Sequence, residues 1–545
     1  MKKRYLYYTV LLIQMVVGIG ALQAQKPVMY DVTVHTNRTN KELDNLNQEC
    51  SEWSYNPPTP QRFKEVNQRL VALSKNELLK GNALVRLGQN YADVGLARLR
   101  NDSLAVEYFK EAIHYLPLPN EKELYSQANK YLGHESLYPG EQQNAFQAID
   151  YLAESFKINP KICPDYGDLF MFGWGVKKDM FLAANVYAIC FLAGNTGSLD
   201  QMNYINYFLE SQSTRQYDIR AFEGMEHFLY ASFILRDRHK AFYAITMAAE
   251  LSLPTAMMEM ALVYADNKAD ADEQNNRREA FHWFRESANQ NYAPAILGLS
   301  RFCRYNVIDT LEGDIYRKDT RGNYSKEIIN KVTQQSIGLL RRAAEMGYTP
   351  AQIDLGEILM NKPKYGLGKP DYIEAAKWIT SAAQSSSTKG EKMLDVLQHK
   401  MDTAKIQHDP QEYADACTEG RKISNNQQYH FSNTLENILK RNNISHPSSS
   451  KSTPLKRSVT QSQLKIKEQL GARDNDIDEV ILAIGYQNVY EAYADMLQEM
   501  SNDSKLVNQS KRRIIQGNMT RLRLYSQYMK YNLIKQSPWE EWNGK

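Results

Sequence analysis

Cysteine is scarce in this chain: Cys50, Cys163, Cys190, Cys303 and Cys417 are all there are in 545 residues. An odd set with no C-x-x-C spacing excludes a zinc-ribbon or dithiol redox pattern. Cys163 and Cys190 are the one pair near enough in sequence to weigh as a disulfide in an oxidising compartment, and small apolar core residues are the plainer reading of all five. An excess of either charge is missing too, with 66 Lys and Arg against 63 Asp and Glu. The net charge of +3 gives no basis for nucleic-acid binding along the whole chain and leaves only local basic patches. Beyond the first 25 residues no apolar run reaches the ~20 residues that span a bilayer, so no transmembrane segment is expected after removal of the N-terminal segment.

Catalytic signatures are equally thin. There is no G-x-S-x-G elbow and no Walker loop. The closest histidines, His399 and His408, do not have the i, i+4 spacing of a helical zinc site, and Glu279 with His282 reads as a helix-surface pair. Ser448 and Lys451 have the letters of a serine–lysine dyad but lie in HPSSSKSTPLK, a Ser/Pro-rich stretch that would not hold two groups in register. No catalytic residue, metal site or cofactor is therefore expected.

What is present begins at the N-terminus. Lys2, Lys3 and Arg4 precede an almost uninterrupted apolar run from Thr9 to Leu22, and Ala24 supplies a small residue after it. This is the layout of a secretory signal peptide, assigned to residues 1–24, and it predicts an exported protein, periplasmic or secreted. No cysteine follows the run, so a lipid has no acceptor there. Residues 25–80 read as a polar lead-in, extended between Lys26 and the run Asn56-Pro57-Pro58-Thr59-Pro60.

The body of the chain repeats itself. HKAFYAITMAAELSLPTAMMEMA from His239 and REAFHWFRESANQNYAPAILGLS from Arg278 align without gaps, Ala241, Ala249 and Ala256 matching Ala280, Ala288 and Ala295 at an offset of 39. SIGLLRRAAEMGYTPAQIDLGEIL from Ser336 and YIEAAKWITSAAQ from Tyr372 continue the template, with an elongated loop expected at roughly 305–331. Towards the N-terminus, Ala83–Gly95 with Ser103–Pro117, and Tyr125–Gly133 with Asn144–Pro160, read as two helix–turn–helix pairs whose second helices stop at proline. Apolar and alanine positions recur at three, four, seven and eight residues, the face of an amphipathic helix. One pair cannot bury such a face, but stacked pairs can, which predicts an all-α, right-handed α-solenoid.

The stretch FMFGWGVKKD, from Phe170 to Asp179, fixes how the pairs are joined. Gly173 is expected to end a first helix where positive φ is needed, Gly175 to let the chain reverse, Val176 to pack inward and Asp179 to cap the second helix, with Ala183 four residues on. Gly366, Gly368 and Asp371 make a shorter copy that keeps the cap-to-alanine spacing at Ala375. A phosphate loop would hold its own spacing instead. The pattern A-x-x-x-L-G, an aromatic, G-x-G-V-x-x-D, then A-x-x-W and AA-x-x-G resembles the Sel1-like repeat family, relatives of tetratricopeptide repeats. Gly173 to Asp179, Arg342 to Gly347 and Ala375 to Trp378 carry the resemblance, which covers residues 81–387. It implies a scaffold or adaptor that holds other macromolecules.

After the array, residues 388–444 keep helical periodicity and read as a cap, 445–470 as a flexible linker, and 471–545 as a helical basic tail. In the tail Lys511, Arg512, Arg513, Arg521 and Arg523 are followed by Tyr525, Tyr528 and Tyr531, either a partner-binding arm or the solvated face of a helical hairpin. The function expected is protein–protein interaction in the cell envelope, with no nucleic-acid partner. Two alternatives stand beside it: a glycan- or peptide-binding protein of nutrient uptake, using Trp53, Trp174, Trp283, Trp378, Trp539 and Trp542 as platforms, and an envelope hydrolase. Trp283 and Trp378 share one repeat position, which marks them as core residues.

Overall fold

The computed structural model describes residues 40–442, apart from 54–56, 93–98, 117–120, 138–143, 233–237, 267–271, 319, 321, 386, 404–408 and 425–430, together with 477–500, 511–519 and Leu522. The signal peptide and the linker expected from the sequence, residues 1–24 and 445–470, lie outside these residues.

The described chain is an all-α solenoid. Two helices, α1 (Lys41–Glu52) and α2 (Pro60–Leu73), lead into helix pairs formed by α3 (Glu77–Ala92) with α4 (Asp102–Tyr115), α5 (Lys122–Leu137) with α6 (Ala145–Ile158), and α7 (Asp165–Phe172) with α8 (Met180–Leu192). One unpaired helix, α9 (Ser198–Thr214), follows. The pairs resume as α10 (Ile219–Tyr230) with α11 (Arg238–Glu250), α12 (Pro254–Ala265) with α13 (Glu273–Asn289), α14 (Ala293–Asn306) with α15 (Lys326–Glu345), and α16 (Thr349–Met360) with α17 (Tyr372–Gln384). Then come α18 (Thr388–Thr403) and α19 (Pro410–Ser424), both packed on α17, and finally α20 (Phe431–Asn442) and α21 (Ile477–Glu499).

The second helices start where a short polar side chain takes over an orphan backbone donor. Asn101, Asn144, Asp179, Ser325 and Asp371 accept from the N–H groups of Leu104, Gln147, Leu182, Ile328 and Glu374. The later first helices α12, α14 and α16 instead begin with Pro254, Pro294 and Pro350 in their first turn, where the missing N–H costs nothing. Inside each pair the helices touch closely. A Cβ added to Gly133 would lie 2.5 Å from Leu152 Cγ, and one on Gly356 would lie 2.5 Å from Ile379 Cγ1, so the leucine–glycine step of the first helix is a seat for the second. Where the two helices carry serines, Ser126 with Ser155 and Ser300 with Ser336, each hydroxyl donates to the other residue's carbonyl oxygen, sealing a close crossing.

The core divides within α5. One apolar cluster runs from Leu43 to Leu132, a second from Leu137 to Leu522. The second therefore includes the C-terminal helices as well as the array.

The lead-in differs from expectation. It is helical from Lys41, because Asn40 caps α1 and Leu43, Leu46 and Cys50 form one buried stripe. The prolines marked extended chain to the eye, yet Pro60 occupies the first turn of α2 behind the Thr59 cap, where proline is suited. The long loop is also shorter than expected, since α15 already begins at Lys326. What remains is an ordered hairpin, with Ile308 bridging Ile315.

Candidate interaction surface

The repeat turns come first. Gly173 closes α7 at φ 72° in the left-handed region, its N–H and that of Trp174 both donating to the Leu169 carbonyl. Gly175 sits at φ 78°, Val176 is fully buried, and Asp179 Oδ1 accepts from Leu182 N–H at 2.9 Å. In the shorter copy Gly366 and Gly368 take φ 71° and 83°, and Asp371 accepts from Glu374 N–H at 3.0 Å. The Asp179 and Asp371 N–H groups donate to the carbonyls of Phe170 and Leu359, one helix back. These turns join helices with their own donors.

Where helices of successive pairs meet across a repeat they do so through first helices, α3 with α5 and α12 with α14, which puts the first helices on the inner side there. Along this inner face polar side chains reach from one first helix to the next. Arg86 Nε donates to Asn47 Oδ1 at 2.9 Å, and Gln89 Nε2 to Gln127 Oε1 at 3.3 Å. Lys130 Nζ lies 2.7 Å from Asp165 Oδ2 and His134 Nε2 2.9 Å from Asp165 Oδ1. Arg301 grips Asp354 through two bonds of 2.7 and 2.8 Å.

The Asp165 cluster is buried at the joint between the two apolar clusters. Burial pushes the Asp165 carboxyl up, but Lys130 and His134 outweigh it and hold the group below the usual carboxylate range. One turn on, burial and the neighbouring Asp165 charge push Asp168 up, while the Tyr187 hydroxyl donates to it at 2.5 Å. A second group forms where α9 meets the later repeats: the Tyr348 hydroxyl donates to Asp200 at 2.9 Å, across 148 residues of sequence. Burial pushes Asp200 up to about 7, and burial with the Asp200 charge does the same for Glu259. Arg301 Nη1, Arg304 Nη1 and Glu259 Oε2 are buried without a hydrogen-bond partner among the described residues.

Among the described residues no group of three His, Cys, Asp or Glu side chains is placed to hold a metal ion. Cys163 and Cys190 are both buried free thiols, and burial raises both well above the ordinary thiol value. Trp53, Trp174 and Trp378 are buried, and Trp283 is half-buried against the core. Four of the six tryptophans considered as sugar platforms are thus packing residues, and Trp539 and Trp542 lie outside the described chain.

The C-terminal region folds back on the array. Phe431 of α20 stacks on Phe191 with ring centres 4.5 Å apart. Helix α21 packs on the second helices α6 and α8, the outer side: Tyr486 donates to Asp179 Oδ2 at 2.5 Å, Asn488 to the Tyr166 hydroxyl at 3.0 Å, and Tyr493 to Asn185 Oδ1 at 3.3 Å. Gly485 faces Leu182 and Phe170 directly. For the basic tail the correction concerns Lys511 alone. Lys511 is only 6% exposed and pairs with Glu391 of α18 at 2.6 Å, because its helix turns Ile515 into the core. Arg512 is half-buried and Arg513 exposed, while Arg521 and Arg523 lie outside the described residues.

Several large apolar side chains are exposed on the array, Leu78, Ile219 and Tyr305 among them, and the two most exposed mark two spots. On α11, Tyr243 (69% exposed) and Met247 (44%) stand one turn apart. At the hairpin, Leu311 is 71% exposed on a tight turn whose Leu311 and Glu312 N–H groups donate to Asp309. Asp309 also takes Tyr316, Gln335 and Lys331, so the loop that presents Leu311 is braced.

Sequence reasoning missed the inner ladder. Its signal was an aspartate two residues before the helix glycine, at Asp165-Tyr166-Gly167 and Asp354-Leu355-Gly356, visible once the repeats are aligned on that glycine.

The Sel1 repeat model matches residues 81–114, 165–185, 254–292, 324–348 and 349–387, and each segment falls on one of the helix pairs described above. Among solved structures the chain is similar to a Sel1 repeat protein from Oxalobacter formigenes, at 18% identity over 76% of this chain and 97% of that one, with a TM-score of 0.27. It is also similar to a protective antigen of uropathogenic Escherichia coli strains that displays an SLR fold, at 17% identity over 76% of this chain and all of that one, with a TM-score of 0.22. No curated protein matches it. The five matched segments show that this chain carries Sel1 repeats.

Proposed function

We propose that this protein is an exported repeat scaffold that binds a protein partner in the cell envelope. Sel1 repeats generally serve protein–protein interaction and are typically non-catalytic. The observation that carries the reading is how the reactive side chains are used. The described Lys, His and Asp clusters sit at joints between repeats and bind one another, while the exposed apolar groups stand on braced elements. Rigid, curved arrays present contact groups at fixed spacing without needing a deep pocket.

Tyr243 and Met247 on α11 and Leu311 on the hairpin are the contact residues of this reading. Export rests on the basic, apolar and small-residue order of residues 1–24. Glycan binding is the weaker reading, because Trp53, Trp174 and Trp378 are buried.

The test is in-cell cross-linking of the tagged full-length chain, followed by fractionation. The reading expects the mature chain outside the cytoplasm, beginning near Gln25 and cross-linked to one protein species in constant ratio. Cytoplasmic retention of an uncleaved chain would refute export, and recovery of oligosaccharide with no protein would refute the scaffold.

A further inference from the structure

Helix α9 is the one member of the array without a pair partner among the described helices; it packs on α8 and α20, and its side chains also touch two later repeats and lie within electrostatic reach of a third. Its Asp200 receives the Tyr348 hydroxyl from the start of α16. Its Tyr207 meets the Tyr292 ring edge-on, 5.8 Å away at the start of α14. The charges of Arg301 on α14 and Glu259 on α12 both act on, or are acted on by, Asp200. We propose that α9 is a proton-linked strap, closed over the first helices of three successive repeats while Asp200 and Glu259 carry protons, and loosened when both ionise.

The charges in the seam do not balance once those protons leave. Asp200 and Glu259 then add two negative charges near a single guanidinium, Arg301, that already gives two bonds to Asp354. Arg304 stands beside the same carboxylate, with Glu357 on the next helix, so the second cation is opposed as well. From the other elements on α9 little compensates. Helix α8 contributes only Tyr187 and Cys190 as titratable groups, Glu226 of α10 acts on Tyr204, and Glu436 of α20 is exposed. The unpartnered Glu259 Oε2 and the Nη1 atoms of both arginines leave the seam incompletely satisfied even when closed. Burial raises both acids to about 7, which sets where the strap responds.

The sign is fixed by linkage. A carboxyl raised in the closed state binds a proton there that it has lost in the open state, so closure is favoured at low pH and weakens as pH rises towards 7. Two such groups make the opening constant rise by up to about a hundredfold per pH unit below that value, and one makes it rise about tenfold. The experiment is hydrogen exchange of the full-length protein from pH 5 to 8, expressed as protection factors of residues 198–214 so that the intrinsic pH dependence of exchange is removed. Wild type is expected to lose protection with the two-proton slope and to level off above about pH 7. Glu259→Gln, which breaks no hydrogen bond, should halve the slope, and adding Asp200→Asn should abolish it. Tyr348→Phe should lower protection at every pH while keeping the slope. Flat protection in wild type, or an unchanged slope in Glu259→Gln, would overturn the proposal.

Discussion

The Tyr486 hydroxyl reaches the carboxylate of Asp179 across 307 residues of sequence, at 2.5 Å. One oxygen of Asp179 caps α8 through Leu182, and the other holds α21 against the outside of the array. A repeat-turn residue therefore doubles as an anchor for the C-terminal helix.

Separating the two roles is direct. Tyr486→Phe keeps the cap and should cost about 1 kcal/mol, because it removes one hydrogen bond to a half-buried acceptor. Asp179→Ala removes both interactions and should cost more, by the ~1 kcal/mol of a lost N-cap. Chemical denaturation of both variants checks the order; equal costs would mean that the Asp179 cap contributes nothing, and no cost for Tyr486→Phe would mean that the Tyr486 contact contributes nothing.

Removal of residues 474–545 should destabilise the array rather than free it from an arm. Val480, Ile481, Tyr486, Val489 and Tyr493 are almost fully buried, and their loss would uncover Leu182 and Phe170. Circular dichroism and limited proteolysis of the truncated chain should show a lower melting temperature and early cleavage near α6 to α9. An unchanged melting temperature would make the tail an appendage.

The Asp165 joint gives a charge prediction. Lys130→Ala leaves a buried carboxylate with one partner fewer and should cost about 3–5 kcal/mol. Since Asp165 is held below its ordinary value, its contribution is present above about pH 4 and is lost as pH falls further. Stability curves of wild type and Asp165→Asn should therefore converge on acidification below pH 4 and stay apart at neutral pH.

At the helix seats, Gly133→Ala and Gly356→Ala should each cost about 1–3 kcal/mol by overpacking against Leu152 and Ile379. Gly338→Ala, on an open face of α15, is the control and should be neutral or slightly stabilising.

How much of this was legible in the sequence follows from the range of each interaction. The Asp179 and Asp371 caps and the glycine turns are set by residues within ten positions of one another, and those stretches carried the pattern openly. Asp200 with Tyr348 and Asp179 with Tyr486 depend on curvature and on fold-back, which local periodicity does not encode. Lys511 looked like surface because basic residues surround it, and only its position opposite Glu391 reveals a buried ion pair. In the lead-in, the prolines drew attention away from the Leu43, Leu46 and Cys50 stripe.

The most direct test of the scaffold reading is partner capture by surface variants. Tyr243→Ser with Met247→Ser, and separately Leu311→Ser, alter exposed side chains and should leave circular dichroism and melting unchanged. Quantitative in-cell cross-linking of these full-length variants should show the protein partner reduced by at least about tenfold for one of the two surfaces, as expected when a hot-spot side chain is removed. Capture of the same partner at wild-type level by both variants would contradict the account.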